Sequence, residues 1–137
     1  MKTLMYVIGF IVVLVIALLV YVRLAPSDVT RWHVPVTATT SADQTGGAVR
    51  VLSVDEGALS RVDTAARTLP RTRVLAGSVQ EGRITYITRS RWIGFPDYTT
   101  VEYSDGLLRM HARLRFGRSD LGVNAKRLQG LLAAAEG

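Results

Sequence analysis

Residues 107–116 read LLRMHARLRF, with Leu108, Met110, Ala112, Leu114 and Phe116 alternating against Arg109, His111, Arg113 and Arg115. Side chains along a strand point to opposite faces in turn. The run therefore predicts a strand with one face on a core and the other toward water or a ligand. Ser104-Asp105-Gly106 stands just before it, an Asp-Gly hairpin signal, and the partner run is Tyr98–Tyr103, YTTVEY. Upstream, Thr72–Val79 (TRVLAGSV) and Arg83–Ser90 (RITYITRS) flank a turn at Gln80-Glu81-Gly82 and have strand character. An antiparallel sheet of about four strands follows. Residues 92–97 (WIGFPD) interrupt the ladder, either as a tight connection with a buried Phe95 or as a lip over a pocket.

Helical patterns stand on both sides of this sheet. Ala58, Leu59, Val62, Ala65, Ala66 and Leu69 recur at three- and four-residue intervals, with Asp55 in a capping position and Pro70 as a stop. Arg61, Asp63 and Arg67 fall on the opposite, solvated side. Ala48–Val54 (AVRVLSV) alternates weakly and reads as an edge strand. After Phe116, Ser119 or Asp120 is placed to cap a second helix whose apolar side is Leu121, Leu128, Leu131, Leu132 and Ala135. Residues 48–137 thus form an α+β domain with both helices on one face of the sheet.

The amino-terminal stretch is of another kind. Leu4–Val22, LMYVIGFIVVLVIALLVYV, carries no charge and no proline. As a helix it is roughly 28 Å long, which matches a bilayer's hydrocarbon core. A cleaved leader is the rival reading. The run is longer than the usual leader core, and no small-x-small cleavage site follows it. Residues 1–23 are therefore read as a single transmembrane anchor, in contact with lipid along residues 4–22. Lys2 and Arg23 balance across it, so charge does not orient it. A three-residue tail before the first apolar segment favours export of the domain to the periplasmic side. Residues 24–47 are rich in Pro, Thr and Ser and read as a tether. Within it Asp28 can cap a short turn over Val29–Trp32, which sets Arg31 and Trp32 near lipid headgroups. His33 is structural or exposed.

Composition removes several function classes. There is no cysteine, hence no disulfide, thiolate metal site or Cys nucleophile. Two isolated histidines, His33 and His111, do not make a zinc or haem site. No phosphate-cradling or dinucleotide glycine motif is present, so no cofactor is expected. The formal charge is +6, carried almost wholly by arginine, since Lys2 and Lys126 are the only lysines. A basic domain beside a membrane points to lipid headgroups or acidic protein surfaces. No nucleic-acid recognition motif accompanies the charge.

Residues 113–127, RLRFGRSDLGVNAKR, with Thr88–Arg91 (TRSR) and Gly94–Asp97 (GFPD), resemble a bacterial family known as domain of unknown function 1499. Ala25–Asp28 (APSD) and Arg31-Trp32 resemble its membrane-anchored members. The resemblance covers nearly everything after the apolar run, with Gly117–Arg127 as its most specific block. It implies a shared fold and no established activity. Ala125 departs from the pattern, which carries a basic residue after Asn124.

The candidate binding residues are cationic. Arg89, Arg91, Arg113, Arg115 and Arg118 offer guanidinium forks, which hold carboxylates or phosphates at two points. Ser119, Asp120 and Asn124 lie where a turn opens a helix, whose free amide hydrogens attract anions, and Arg127 ends the same block. The plainer alternative is a solvated arginine face with scattered ion pairs, Glu102 being one partner, and an ordinary cap at Asp120. Asp97, Ser119 and Asp120 are acid, base and nucleophile types without the spacing of a triad. The expectation is a non-enzymatic domain at the bacterial inner membrane that binds a membrane-protein partner, as an accessory subunit of a larger complex. The alternative is a binder of an anionic small molecule or lipid headgroup. A hydrolase of anionic substrates comes third.

Overall fold

The computed structural model describes all residues, 1–137. Leu107–Leu114 forms β6, and it lies inside a six-stranded antiparallel sheet ordered β1-β2-β6-β5-β4-β3. Its hairpin partner is β5 (Pro96–Ser104), joined through Asp105 (φ 54°) and Gly106 (φ 74°). Two successive positive φ values are what a tight antiparallel turn needs, and Asp-Gly tolerates them. β4 (Arg83–Arg89) and β3 (Thr72–Ser78) continue the sheet on that side.

Leu108, Met110 and Ala112 are fully buried, as the alternation requires. They pack with Ile84, Tyr86 and Val101 of the neighbouring strands beneath α3 (Ala58–Thr68) and α4 (Val123–Glu136). Leu59, Val62, Ala66, Leu128, Leu131 and Ala135 supply the helical side of this core. The α+β class and the shared helical face are as expected. α1 (Lys2–Leu24) is one helix long and apolar enough to cross a membrane.

The sheet has six strands where four were expected. β2 (Gly47–Ser53) is not an edge, because β1 (Ala42–Gln44) pairs outside it in residues read as tether. β1 is three exposed polar-to-small residues with no alternation to find. Only its turn at Thr45-Gly46 marks it in the sequence. Gly47 has a packing reason: a Cβ there would stand 2.2 Å from the Ala112 carbonyl oxygen.

The larger correction concerns the arginine-bearing face of the sheet. Residues 26–36 lie across it as a strap. α2 (Val29–Trp32), capped by Asp28 as anticipated, delivers Trp32 into the fold and not toward headgroups. The indole stacks on Tyr98, with ring centroids 3.9 Å apart and planes at 11°, over Ile87. Arg113 donates to the Trp32 carbonyl (2.6 Å) and Arg115 to that of Pro26 (2.8 Å). His33 Nδ1 is hydrogen-bonded to Thr85 Oγ1 (2.9 Å), and Glu102 pairs with Arg83 (2.6 Å). The alternation announced a second face; it held no information on what covers it.

Smaller differences have similar causes. Leu121 was assigned to the apolar side of the second helix but is 92% exposed. It has φ 53°, one residue before the Gly122 cap, so it precedes the helix. Arg61 and Asp63 were placed on a solvated side. Arg61 donates to the Ala135 carbonyl (2.6 Å), tying α3 to the end of α4, and Asp63 accepts from the Tyr86 hydroxyl (2.7 Å).

Burial in strap and sheet favours the neutral form of both histidines. Burial and then Arg113 push His111 down to about 4, and burial and then Arg83 lower His33. A folded pKa below the unfolded one means that the unfolded chain takes up protons first as pH falls. Stability is thus full above about pH 6.5 and declines as pH drops toward the folded values. Urea titrations at pH 7 and pH 5 are expected to show this loss, and His111→Gln is expected to shrink it. An unchanged difference in the variant would show that His111 has no share in it.

Candidate functional site

The face opposite the helices being covered, the open cleft lies elsewhere. It sits at one end of the sheet, where β4 runs out, β5 begins and the chain enters α4. Its volume is about 380 Å³. Arg89, Ser90 and Arg91 come from the end of β4 and the loop beyond, Asp97 from β5, and Phe116, Ser119 and Asp120 from the connection to α4. Arg127 projects from the second turn of α4, and Arg71 from the bend before β3.

Five of the nine sequence-derived site residues meet here: Arg89, Arg91, Ser119, Asp120 and Arg127. Asn124 is buried behind them and its Oδ1 accepts from Arg127 Nη1. Arg113 and Arg115 do not take part, because their guanidiniums hold the strap. Arg118 is exposed and stands outside the cleft. Two participants were missed. Arg71 has φ 56° and exchanges backbone and side-chain hydrogen bonds with Arg89: its carbonyl accepts from Arg89 N (3.0 Å), and its Nε donates to the Arg89 carbonyl (3.0 Å). Nothing local in the sequence marks this pairing, which follows from the register Thr72↔Thr88. The other is Arg23, at the end of α1. It lines an adjoining cleft of about 350 Å³ with Arg71, Arg89, Ser90, Arg91 and Gly94.

α1 is joined to this region by its last turn. Arg23 donates from Nη2 to the Trp92 carbonyl (2.7 Å) and from Nε to that of Ile93 (3.1 Å). Arg89 Nη1 donates to the carbonyls of Gly94 (2.9 Å) and Val22 (3.4 Å). Val22 is only 2% exposed, and Tyr21 meets Phe116 edge-on at 6.1 Å.

Charge in the main cleft is unevenly matched. Arg127 reaches Asp97 (3.5 Å), the only ion pair there, with side-chain exposures of 13% and 17%. Burial raises the Asp97 carboxyl, and Arg127 opposes that shift. Asp120 spends both oxygens on backbone amides at the entry to α4, Oδ1 on Gly122 N and Oδ2 on Asn124 N, each at 3.0 Å. Arg71, Arg89 and Arg91 have no carboxylate partner, although Arg50, Arg61, Arg67 and Arg83 each have one. Ser119 Oγ accepts from Leu121 N at 3.3 Å, and no histidine lines the cleft. No group of three or more metal-ligating side chains occurs in the structure. The arrangement can hold an anion at several points, and it lacks the nucleophile–base hydrogen bond of an acyl-transfer site.

Curated proteins include no match to the chain. A family profile described as "Protein of unknown function (DUF1499)" matches residues 27–134. The matched span begins in the strap at Ser27 and takes in every strand, α3, all but the end of α4 and all of the main cleft. With most of its length inside that span, the chain belongs to the DUF1499 family.

Proposed function

We propose that the chain is a single-pass protein of the inner membrane whose periplasmic domain is a non-catalytic binding module. It holds a phosphate- or carboxylate-bearing group in the cleft between Arg71, Arg89, Arg91 and Arg127. The observation that carries this reading is the set of three unpaired guanidiniums, Arg71, Arg89 and Arg91, converging on one concave site. Arg71 engages only its Nε and Arg89 only its Nη1, so each keeps further donors for a ligand. Retention of α1 is supported by Val22 and Arg23, which are built into the domain's packing and hydrogen bonding in a way a leader's end has no need to be. A non-catalytic role is supported by Asp120, whose oxygens are both committed, and by Ser119, whose Oγ accepts from Leu121 N and is hydrogen-bonded to no base.

The full chain in neutral detergent is expected to bind inorganic phosphate or pyrophosphate saturably by calorimetric titration. Arg71→Asn with Arg91→Ala is expected to weaken binding about tenfold or more, since a hydrogen bond to a charged group contributes about 1.5–3 kcal/mol. Asparagine is chosen because it tolerates the left-handed backbone at residue 71. Absence of saturable binding, or equal affinity in a variant that melts like wild type, overturns the proposal.

A membrane-protein partner, with the chain as its accessory subunit, is a second reading. It is favoured by Leu121 and Val123, which stand exposed beside the cleft and suit the apolar part of an acidic partner segment. Stoichiometric co-purification of a membrane protein, lost on Leu121→Asp, is the expected result. A lone monomer in gentle extracts would count against it.

A further inference from the structure

The loop Arg91–Phe95 gives Arg91 and Phe95 to the main cleft, and beyond Arg91 its side chains are oddly apolar for their exposure. Trp92 is 79% exposed, and Ile93 and Phe95 are exposed beside it. We propose that this loop is a second membrane contact, with Trp92 seated in the interfacial layer of an anionic phospholipid bilayer, the same one that α1 crosses. The inference rests on α1 spanning that bilayer; Arg71, Arg89 and Arg91 are shared with the main cleft, and the test therefore reads Trp92 and not the arginines.

Position is the first argument. Arg23 is the first charged residue after the apolar run, so its guanidinium stands at the level of the headgroups. Its two hydrogen bonds, to the carbonyls of Trp92 (2.7 Å) and Ile93 (3.1 Å), hold the loop backbone at that same level. The aromatic series Tyr21, Phe116 and Phe95 continues from the last turn of α1 into the loop, with centroid spacings of 6.1 and 6.3 Å.

The loop is also rigidly built. Ser90 Oγ accepts from both Gly94 N (3.0 Å) and Phe95 N (2.9 Å), and Ser90 N donates to the Phe95 carbonyl (2.9 Å). Gly94 has φ +84°, with the Arg23 side chain 3.2 Å from where a Cβ would stand. The loop is thus closed on itself and fitted against the end of α1, which leaves Trp92 projecting from a fixed support. Tryptophan, with an apolar body and one N–H, is the side chain best suited to the boundary between acyl chains and water.

Charge complementarity completes the case. The guanidinium of Arg91 lies over the indole, 4.8 Å from its centroid. The cleft beside the loop is lined by Arg23, Arg71, Arg89 and Arg91 and by no acidic residue. An apolar wedge flanked by unpaired arginines fits an anionic lipid surface, where the ring enters the boundary and the cations meet phosphates.

The test uses the full chain in phosphatidylcholine–phosphatidylglycerol vesicles, with or without phosphatidylcholine brominated near the headgroup end of its acyl chains. Trp32, in the strap itself, is buried against Tyr98, so the difference between wild type and Trp92→Tyr isolates Trp92. Wild-type emission is expected to be strongly quenched by brominated lipid and shielded from acrylamide in the water. In Trp92→Tyr the quenched component is expected to vanish. Equal bromine quenching in both proteins, or a Trp92 component open to acrylamide, overturns the inference. Flotation separates the causes: a chain that fails to float with the vesicles removes the spanning helix as well, whereas one that floats with Trp92 in water removes the loop contact alone.

Discussion

Trp32→Ala is expected to lower the stability of the domain by about 3–5 kcal/mol, the usual cost of truncating a buried aromatic side chain. The indole is 8% exposed and lies flat on Tyr98, with Ile87 fully buried below the same cluster. Its removal opens a void that the strap cannot fill, because Arg113 and Arg115 hold the strap's carbonyls at fixed points. The guanidinium of Arg113, 5.4 Å from the indole centroid, also loses its aromatic neighbour. Trp32→Phe keeps a stacking ring and is expected to cost about 1–2 kcal/mol, nearer to a shape change than a cavity. Urea unfolding of the full chain, followed by circular dichroism because the variant keeps only the exposed Trp92, measures both. A loss under about 1 kcal/mol for the alanine variant would mean that residues 24–47 are the loose tether their composition suggests.

Arg127→Ala is expected to cost about 3 kcal/mol at pH 7, the lower end of what removing one partner of a buried ion pair costs. The deletion leaves Asp97 buried beside Asp120 with its strongest compensation gone. Asp97 is already raised by burial in the wild type, and the variant is expected to raise it further. A carboxyl whose folded pKa lies above its unfolded value weighs on the fold while ionised and is relieved as pH falls through the folded value. The loss caused by Arg127→Ala is therefore expected to shrink between pH 7 and pH 5. Adding Asp97→Asn is expected to recover most of it at pH 7. Parallel losses at both pH values, with no recovery in the double variant, would show that Arg127 acts through packing and Asn124 alone.

How much of the candidate site was legible divides along one physical line. Arg89, Arg91, Ser119, Asp120 and Arg127 cluster in two short blocks of sequence, one at the end of β4 and one after β6, and β5 between those two strands sets the block ends side by side. Arg113 and Arg115 were singled out for a regular alternation that is real, yet alternation distinguishes only one face from the other. Whether a face meets water, ligand or more protein depends on where residues 26–36 lie, and those residues have no periodicity. Arg71 escaped notice because its cation joins the cleft through strand register across the β3–β4 pair, a relation with no trace in local composition.

By itself the sequence determined the elements held by short-range rules. These are the apolar helix read over residues 4–22, the Asp-Gly hairpin, the strand with Leu108, Met110 and Ala112 inward, the cap at Asp28 and the Asp120 carboxylate on the first turn of the last helix. Each depends on backbone geometry and burial period within a few residues, so each is written locally. Tertiary structure alone decided the strap, the outermost strand β1 and the arginine cleft against the end of α1. Those depend on which distant surfaces come into contact. A tryptophan of the same composition serves a headgroup or a core, and only the stack on Tyr98 shows that Trp32 belongs to the core.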